Sequence, residues 1–159
     1  MRLKVNFEKC TGCRACELAC SAKHYQKYSP ELSRIRIMKF EDKGTDIPVA
    51  CKQCVNAPCV NNCPVGALYK DPETMATLLK KELCIGCGVC VEVCPFSAAA
   101  LDEEGLSMIC DLCDGNPECV AVCPVQAIEY QDITETEQKK RIITAERHSD
   151  NVLKKWRIR

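Results

Sequence analysis

Leu3, Val5 and Phe7 alternate with Lys4 and Asn6, which predicts a strand over residues 3–7. Residues 17–28 lose the alternation and predict a short helix, stopped by Ser29 and Pro30. The stretch Arg34-Ile-Arg-Ile-Met-Lys-Phe40 alternates cleanly and predicts a second strand. Residues 41–44 then supply a turn, and residues 47–50 supply its returning partner. A further hairpin is expected from residues 67–69 and 75–79 about a turn at 71–74, and a last strand from residues 127–130.

These elements are few and short for 159 residues, and the composition shows why. The hydrophobic fraction of 47% includes 16 cysteines, and aromatics reach only 5%. Without the cysteines, the apolar share falls below that of an ordinary domain. A thin core of this kind needs staples. Formal net charge is +0, with few aromatics, so nothing points to a nucleic-acid binder. No stretch approaches a membrane span. The opening MRLKVNFEKC carries no apolar signal core and no twin arginine, so a cytoplasmic, reducing setting is expected.

The cysteines sort into four quartets without remainder: Cys10, Cys13, Cys16, Cys20; Cys51, Cys54, Cys59, Cys63; Cys84, Cys87, Cys90, Cys94; and Cys110, Cys113, Cys119, Cys123. Proline follows the last three quartets at Pro64, Pro95 and Pro124. Cysteines this close in one tight loop make poor disulfide partners. Structural zinc also takes four thiolates, but its two C-x2-C knuckles have no use for a third cysteine inside one of them. The third quartet has the C-x2-C-x2-C-x3-C-P spacing of bacterial ferredoxins, which binds [4Fe–4S] clusters. In two-cluster ferredoxins the first three cysteines hold one cluster and the fourth reaches across to the other. The expected local picture is three ligands on a loop, with the fourth opening a helix or turn that leads away.

The second quartet, CKQCVNAPCVNNCPVGAL, widens the middle spacing, and the fourth, CDLCDGNPECVAVCPVQAI, widens it by one more residue. The first, CTGCRACELACS, lacks the trailing proline. This order of spacings resembles the four-cluster iron–sulfur subunits of molybdenum and tungsten oxidoreductases, formate dehydrogenases and hydrogenases. The resemblance covers residues 1 to about 130. With SRIRI following CTGCRACELACSAKH, it is closest to the small ferredoxin-like subunit of tungsten aldehyde oxidoreductases and their benzoyl-CoA reductase relatives. It implies that the first quartet pairs with the fourth, and the second with the third. One cluster would take Cys10, Cys13, Cys16 and Cys123; its neighbour would take Cys110, Cys113, Cys119 and Cys20. The inner two would take Cys51, Cys54, Cys59 and Cys94, and Cys84, Cys87, Cys90 and Cys63. The fold expected is α+β: two ferredoxin-like dicluster modules, the second (51–94) inserted in the first (1–50 and 95–131).

Residues 132–159 carry no cysteine and are highly charged, with Lys139-Lys-Arg141 and Lys154-Lys155-Trp156-Arg157. They read either as a solvated tail or as a docking arm contacting through Ile142, Ile143, Val152, Leu153 and Trp156. His24 reads as a surface residue or a neighbour of the ligands, since the ligand sets are full without it. His148 stands alone. Gly12, Gly86 and Gly88 fit curled loops. Arg14 and Lys52 lie inside quartets, where positive charge would favour a reduced cluster. No phosphate loop, paired catalytic carboxylates or nucleophile–histidine set is present, so the chain is not expected to be an enzyme. The expected function is electron relay by four [4Fe–4S] clusters between a catalytic tungsten or molybdenum pterin subunit and a second redox subunit or soluble carrier. A two-ended wire also permits higher-order assembly. The competing reading is a freely diffusing polyferredoxin.

Overall fold

A computed structural model describes residues 1–132. The extension expected over 132–159 therefore lies, Asp132 apart, outside the described residues. The chain begins with β1 (Arg2–Val5) and reaches α1 (Ala15–Tyr25), then the hairpin β2 (Ile35–Phe40) and β3 (Thr45–Ala50). The short helix α2 (Pro58–Asn61) leads to a second hairpin, β4 (Leu68–Lys70) and β5 (Thr77–Leu79). Next come α3 (Val89–Glu92), the small hairpin β6 (Ala100–Leu101) and β7 (Ser107–Met108), α4 (Glu118–Ala121), and β8 (Ile128–Gln131).

All pairings are antiparallel and two-stranded. Three of them join neighbours in sequence; the fourth joins the ends, with Leu3 opposite Tyr130 and Val5 opposite Ile128. The alternation in β2 places Ile35 and Ile37 inside and leaves Met38 half exposed. β1 is shorter than expected because residues 7–9 tighten into a 3-10 turn, with the Asn6 side chain accepting the Glu8 N–H. α1 starts two residues before the expected position and stops at Gln26, which takes a left-handed conformation at φ 55.

Of the expectation that three ligands sit on a loop and the fourth opens a helix or turn, the turn holds for Cys63, Cys94 and Cys123, and the placing of all three first ligands on a loop needs correcting. In every quartet the third cysteine lies within a helix: Cys16 in α1, Cys59 in α2, Cys90 in α3 and Cys119 in α4. Cys63, Cys94 and Cys123 lie just past the ends of their helices. The reason is the proline that follows each of them. It cannot donate to a helix and disfavours helical backbone at the residue before it, so α2, α3 and α4 end after one turn. Ser21 stands where that proline would be in the first quartet, so α1 runs on through Cys20 to Tyr25.

Two apolar clusters form the core, and cysteine is built into both. One gathers Leu3, Ile35, Ile37, Leu112 and Ile128 around Cys16, Cys20 and Cys119. The other gathers Leu68, Ala99 and Ile109 around Cys90.

Candidate metal centres

The four loops share one backbone device. The residue before the second cysteine of each quartet is left-handed: Gly12 (φ 62), Gln53 (φ 48), Gly86 (φ 67) and Leu112 (φ 63). This curl turns the loop around the space facing the thiols. Only two of the four are glycine, so sequence analysis finds half of the device. The glycine at 12 also makes room: a methyl there would collide with the Asp46 carboxylate.

A second device surrounds the fourth cysteines. After each Cys-Pro pair the chain makes a turn with a left-handed residue at Gly66, Ser97 or Gln126. The next amide then points back at sulfur. Ala98 N–H donates to Cys94 Sγ at 3.4 Å, and Ala127 N–H to Cys123 Sγ at 3.2 Å. At Cys63 burial alone would raise the pKa, but the amides of Leu68, Val65, Ala67 and Gly66 outweigh it and lower the thiol's pKa. Cys20 has no such turn. Its sulfur instead accepts the backbone N–H of Arg34, at 3.3 Å, from the segment entering β2.

Eight of the thiols meet in two hollows. An open hollow of about 330 Å³ is lined by Cys84, Cys87, Cys90 and Cys63. Another, of about 320 Å³, is lined by Cys10, Cys13, Cys16 and Cys123. In each, three cysteines come from one quartet and one from another. For the remaining eight, charge interactions report proximity. Burial is the main cause raising the Cys110, Cys113 and Cys119 thiols, and Cys20 adds to it in all three, with Cys119 pushed up to about 12. Burial likewise raises Cys54 and Cys59, and Cys94 adds to both. Cys51 is pushed up to about 11 by burial, with Cys54 and Cys59 contributing. Cys51 also raises Cys110, and Cys16 raises Cys119, so the fourth quartet's thiols neighbour both the second's and the first's.

This donor set fits [4Fe–4S] clusters. Sixteen cysteines stand free of disulfides, eight of them line two hollows four to each, and backbone amides point at Cys20, Cys63, Cys94 and Cys123. Thiols buried this deeply are poor anions alone and become good ligands beside a multivalent cation.

Sequence analysis passes over several residues beside the thiols. The Arg34 guanidinium pairs with Asp111 at 2.5 Å, and Asp111 also accepts the Cys113 N–H at 3.0 Å. His24, placed in the sequence as a surface or ligand-neighbour residue, has its Nε2 3.7 Å from Cys113 Sγ and 3.5 Å from Asp111. Burial lowers the pKa of His24, and Arg34 lowers it further. Lys70 stands by Cys51, Cys54 and Cys59, and burial lowers its pKa against their opposing pull. Gln53 is buried; its amide nitrogen donates to the Cys110 carbonyl at 2.5 Å and its oxygen accepts the Thr77 N–H at 2.8 Å. Arg14, inside the first quartet, turns toward Glu17. No signal short of the fold marks these contacts, since most join residues far apart in sequence. Among the described residues, no helix is long and apolar enough to cross a membrane.

Comparison with known proteins agrees with this geometry. The 4Fe-4S dicluster domain family matches residues 44–133, and the 4Fe-4S binding domain matches residues 3–22. The chain is 45% identical, over 66% of its length and 61% of the relative's, to the polyferredoxin-like subunit of an aliphatic sulfonate oxidoreductase of Pyrococcus furiosus. It therefore spans about six tenths of that relative. It is 38% identical, over 65% of its length and 70% of the relative's, to a putative electron transport protein, YsaA, of Escherichia coli. Among solved structures, the active-site complex BamBC of benzoyl-coenzyme A reductase with benzoyl-CoA contains a similar chain. That chain matches with a TM-score of 0.50 and 27% identity, covering 94% of each chain.

Proposed function

As a member of the 4Fe-4S dicluster domain family, the chain is an iron–sulfur electron-transfer protein of oxidoreductase systems, and we propose that it wires a tungsten or molybdenum pterin catalytic subunit to a second redox partner. It carries four [4Fe–4S] clusters and transfers electrons rather than catalysing a reaction of its own. We assign the ligands as Cys10, Cys13, Cys16 and Cys123; Cys110, Cys113, Cys119 and Cys20; Cys51, Cys54, Cys59 and Cys94; and Cys84, Cys87, Cys90 and Cys63. The observation that supports this most is the composition of the two hollows, each lined by three cysteines of one quartet and one of another. The pairing of β1 with β8, and the packing of α1 on α4 and of α2 on α3, support an outer module of 1–50 and 95–131 with 51–94 set into it.

When bound, such clusters accept and release single electrons with little rearrangement. The chain's own residues hold the sulfurs in place, exclude water from Cys16, Cys20, Cys90 and Cys119, and aim amides at Cys20, Cys63, Cys94 and Cys123. Cys13 and Cys87 are exposed and lie in different hollows, which suits a relay with two open ends.

Two measurements test this. Anaerobic affinity purification from the native cell should bring down a pterin-containing catalytic subunit in stable stoichiometry. A lone brown chain would favour the freely diffusing polyferredoxin instead. Ligand crossing is tested with paired serine substitutions. Cys123→Ser with Cys13→Ser should alter the EPR signal of one cluster, and Cys123→Ser with Cys113→Ser should alter two. The reverse pattern sinks the crossing.

A further inference from the structure

Glu17 is the only charged residue among the described residues that the fold fully encloses, at 3% exposure. It follows Cys16 directly and occupies the place that Val60, Val91 and Val120 occupy after the third cysteines of the other quartets. Three quartets put an apolar side chain at this position, and the first puts a carboxylate there. One oxygen, Oε1, accepts the Ile37 N–H of β2 at 2.7 Å. The other, Oε2, has no hydrogen-bond partner, and its nearest cation is Arg14, whose Nε lies 3.6 Å away on a side chain 45% exposed. Enclosing a carboxylate with one oxygen unsatisfied is costly. A purely structural acceptor for Ile37 would not need a charge. Arg14 itself sits in left-handed backbone at φ 61, where the third quartet has Gly88. Both members of the pair are thus held in places where the third quartet uses valine and glycine.

The charge lies beside the sulfurs. Glu17 directly follows Cys16 in α1, and both residues are buried. A carboxylate's negative charge in a low-dielectric interior opposes the arrival of another. We propose that Glu17 lowers the reduction potential of the cluster held by Cys10, Cys13, Cys16 and Cys123, biasing an electron that enters at exposed Cys13 to move inward. The inference rests on the ligand assignment proposed above. The step is a one-electron transfer: the electron comes from a partner's one-electron redox centre and passes to the neighbouring cluster across the Cys16–Cys119 junction.

The test is an EPR-monitored potentiometric titration of the full chain under anaerobic conditions, with iron analysis, for wild type, Glu17→Gln and Glu17→Met. Glutamine keeps the acceptor for Ile37 and removes only the charge; methionine removes both. In each variant one cluster should become at least tenfold more reduced at fixed potential, a shift of about 59 mV for one electron, while the other three move far less. Full iron content with no upward shift in either variant overturns the proposal. So does failure of both variants to load clusters, because Glu17 would then serve assembly rather than potential. Fewer than sixteen irons in the wild type overturns the four-cluster reading itself, and this inference with it.

Discussion

Gly86 and Gly88 have the same backbone requirement and different surroundings. Both are left-handed, at φ 67 and φ 76, but a methyl on Gly86 would meet the Gly105 carbonyl oxygen at 2.9 Å, while nothing lies within 4 Å of one on Gly88. Left-handed backbone costs a side-chain-bearing residue about 1–2 kcal/mol. Gly88→Ala should cost about that much, and Gly86→Ala should cost more, because a backbone carbonyl cannot swing aside as a side chain can. Anaerobic thermal unfolding of the loaded protein measures both; equal losses would show that the approach of Gly105 does not matter. The sequence marks both glycines as turn residues without distinguishing them, because the contact that separates them comes from the β6–β7 turn. Gln53 and Leu112 adopt the same curl with ordinary side chains. Nothing in a residue list marks a non-glycine position as left-handed when the demand comes from the loop closing on its own thiols. The ligands themselves were legible because iron–sulfur chemistry constrains cysteine spacing directly.

At the scale of elements, legibility followed length. β2, β3 and the β4–β5 hairpin were readable because several alternating residues carry the period. β6 and β7, with two residues each, carry no period and were not seen. The three Cys-Pro pairs were visible, but the helix in front of each was not, since one turn is too short to show a stripe. The cross-links between elements were hidden for a different reason. Gln53 ties the second quartet's loop to β5 through Thr77 and to the fourth quartet through the Cys110 carbonyl, and so bridges the two apolar clusters' surroundings. Such a side chain is satisfied on both ends only in the finished fold. Gln53→Ala leaves a buried N–H and a carbonyl without that partner, and each unsatisfied buried group costs about 1–3 kcal/mol. A stability loss of about 2–4 kcal/mol is expected by anaerobic denaturant unfolding, a sum of two such terms reduced by partial relaxation. A loss below about 0.5 kcal/mol, the range of ordinary surface changes, would show that Gln53 does not join these elements.

For the molecule as a whole, thiols fill places that aliphatic side chains fill elsewhere. Cys16, Cys20 and Cys119 belong to one core cluster and Cys90 to the other. Cluster loading therefore takes place within the core, and it carries a proton balance. Burial, followed by neighbouring charges, raises Cys16 and Cys119 to about 12 and Cys51 to about 11, and raises Cys110 well above its ordinary value. Before iron arrives these groups are neutral thiols at neutral pH, whereas a ligand must be a thiolate. Each ligation thus releases a proton. The sign follows: below the thiol pKa values the reactive thiolate fraction grows about tenfold per pH unit, so higher pH favours loading and lower pH opposes it. Anaerobic reconstitution followed by visible absorbance and iron content should start about thirtyfold faster at about pH 8.5 than at about pH 7, as the thiolate fraction does. The released protons should be detectable in weak buffer as loading proceeds. A rate that does not change across this range, with no acid released, would mean that the thiols are already ionised in the metal-free fold. Burial would then not be the force that sets them.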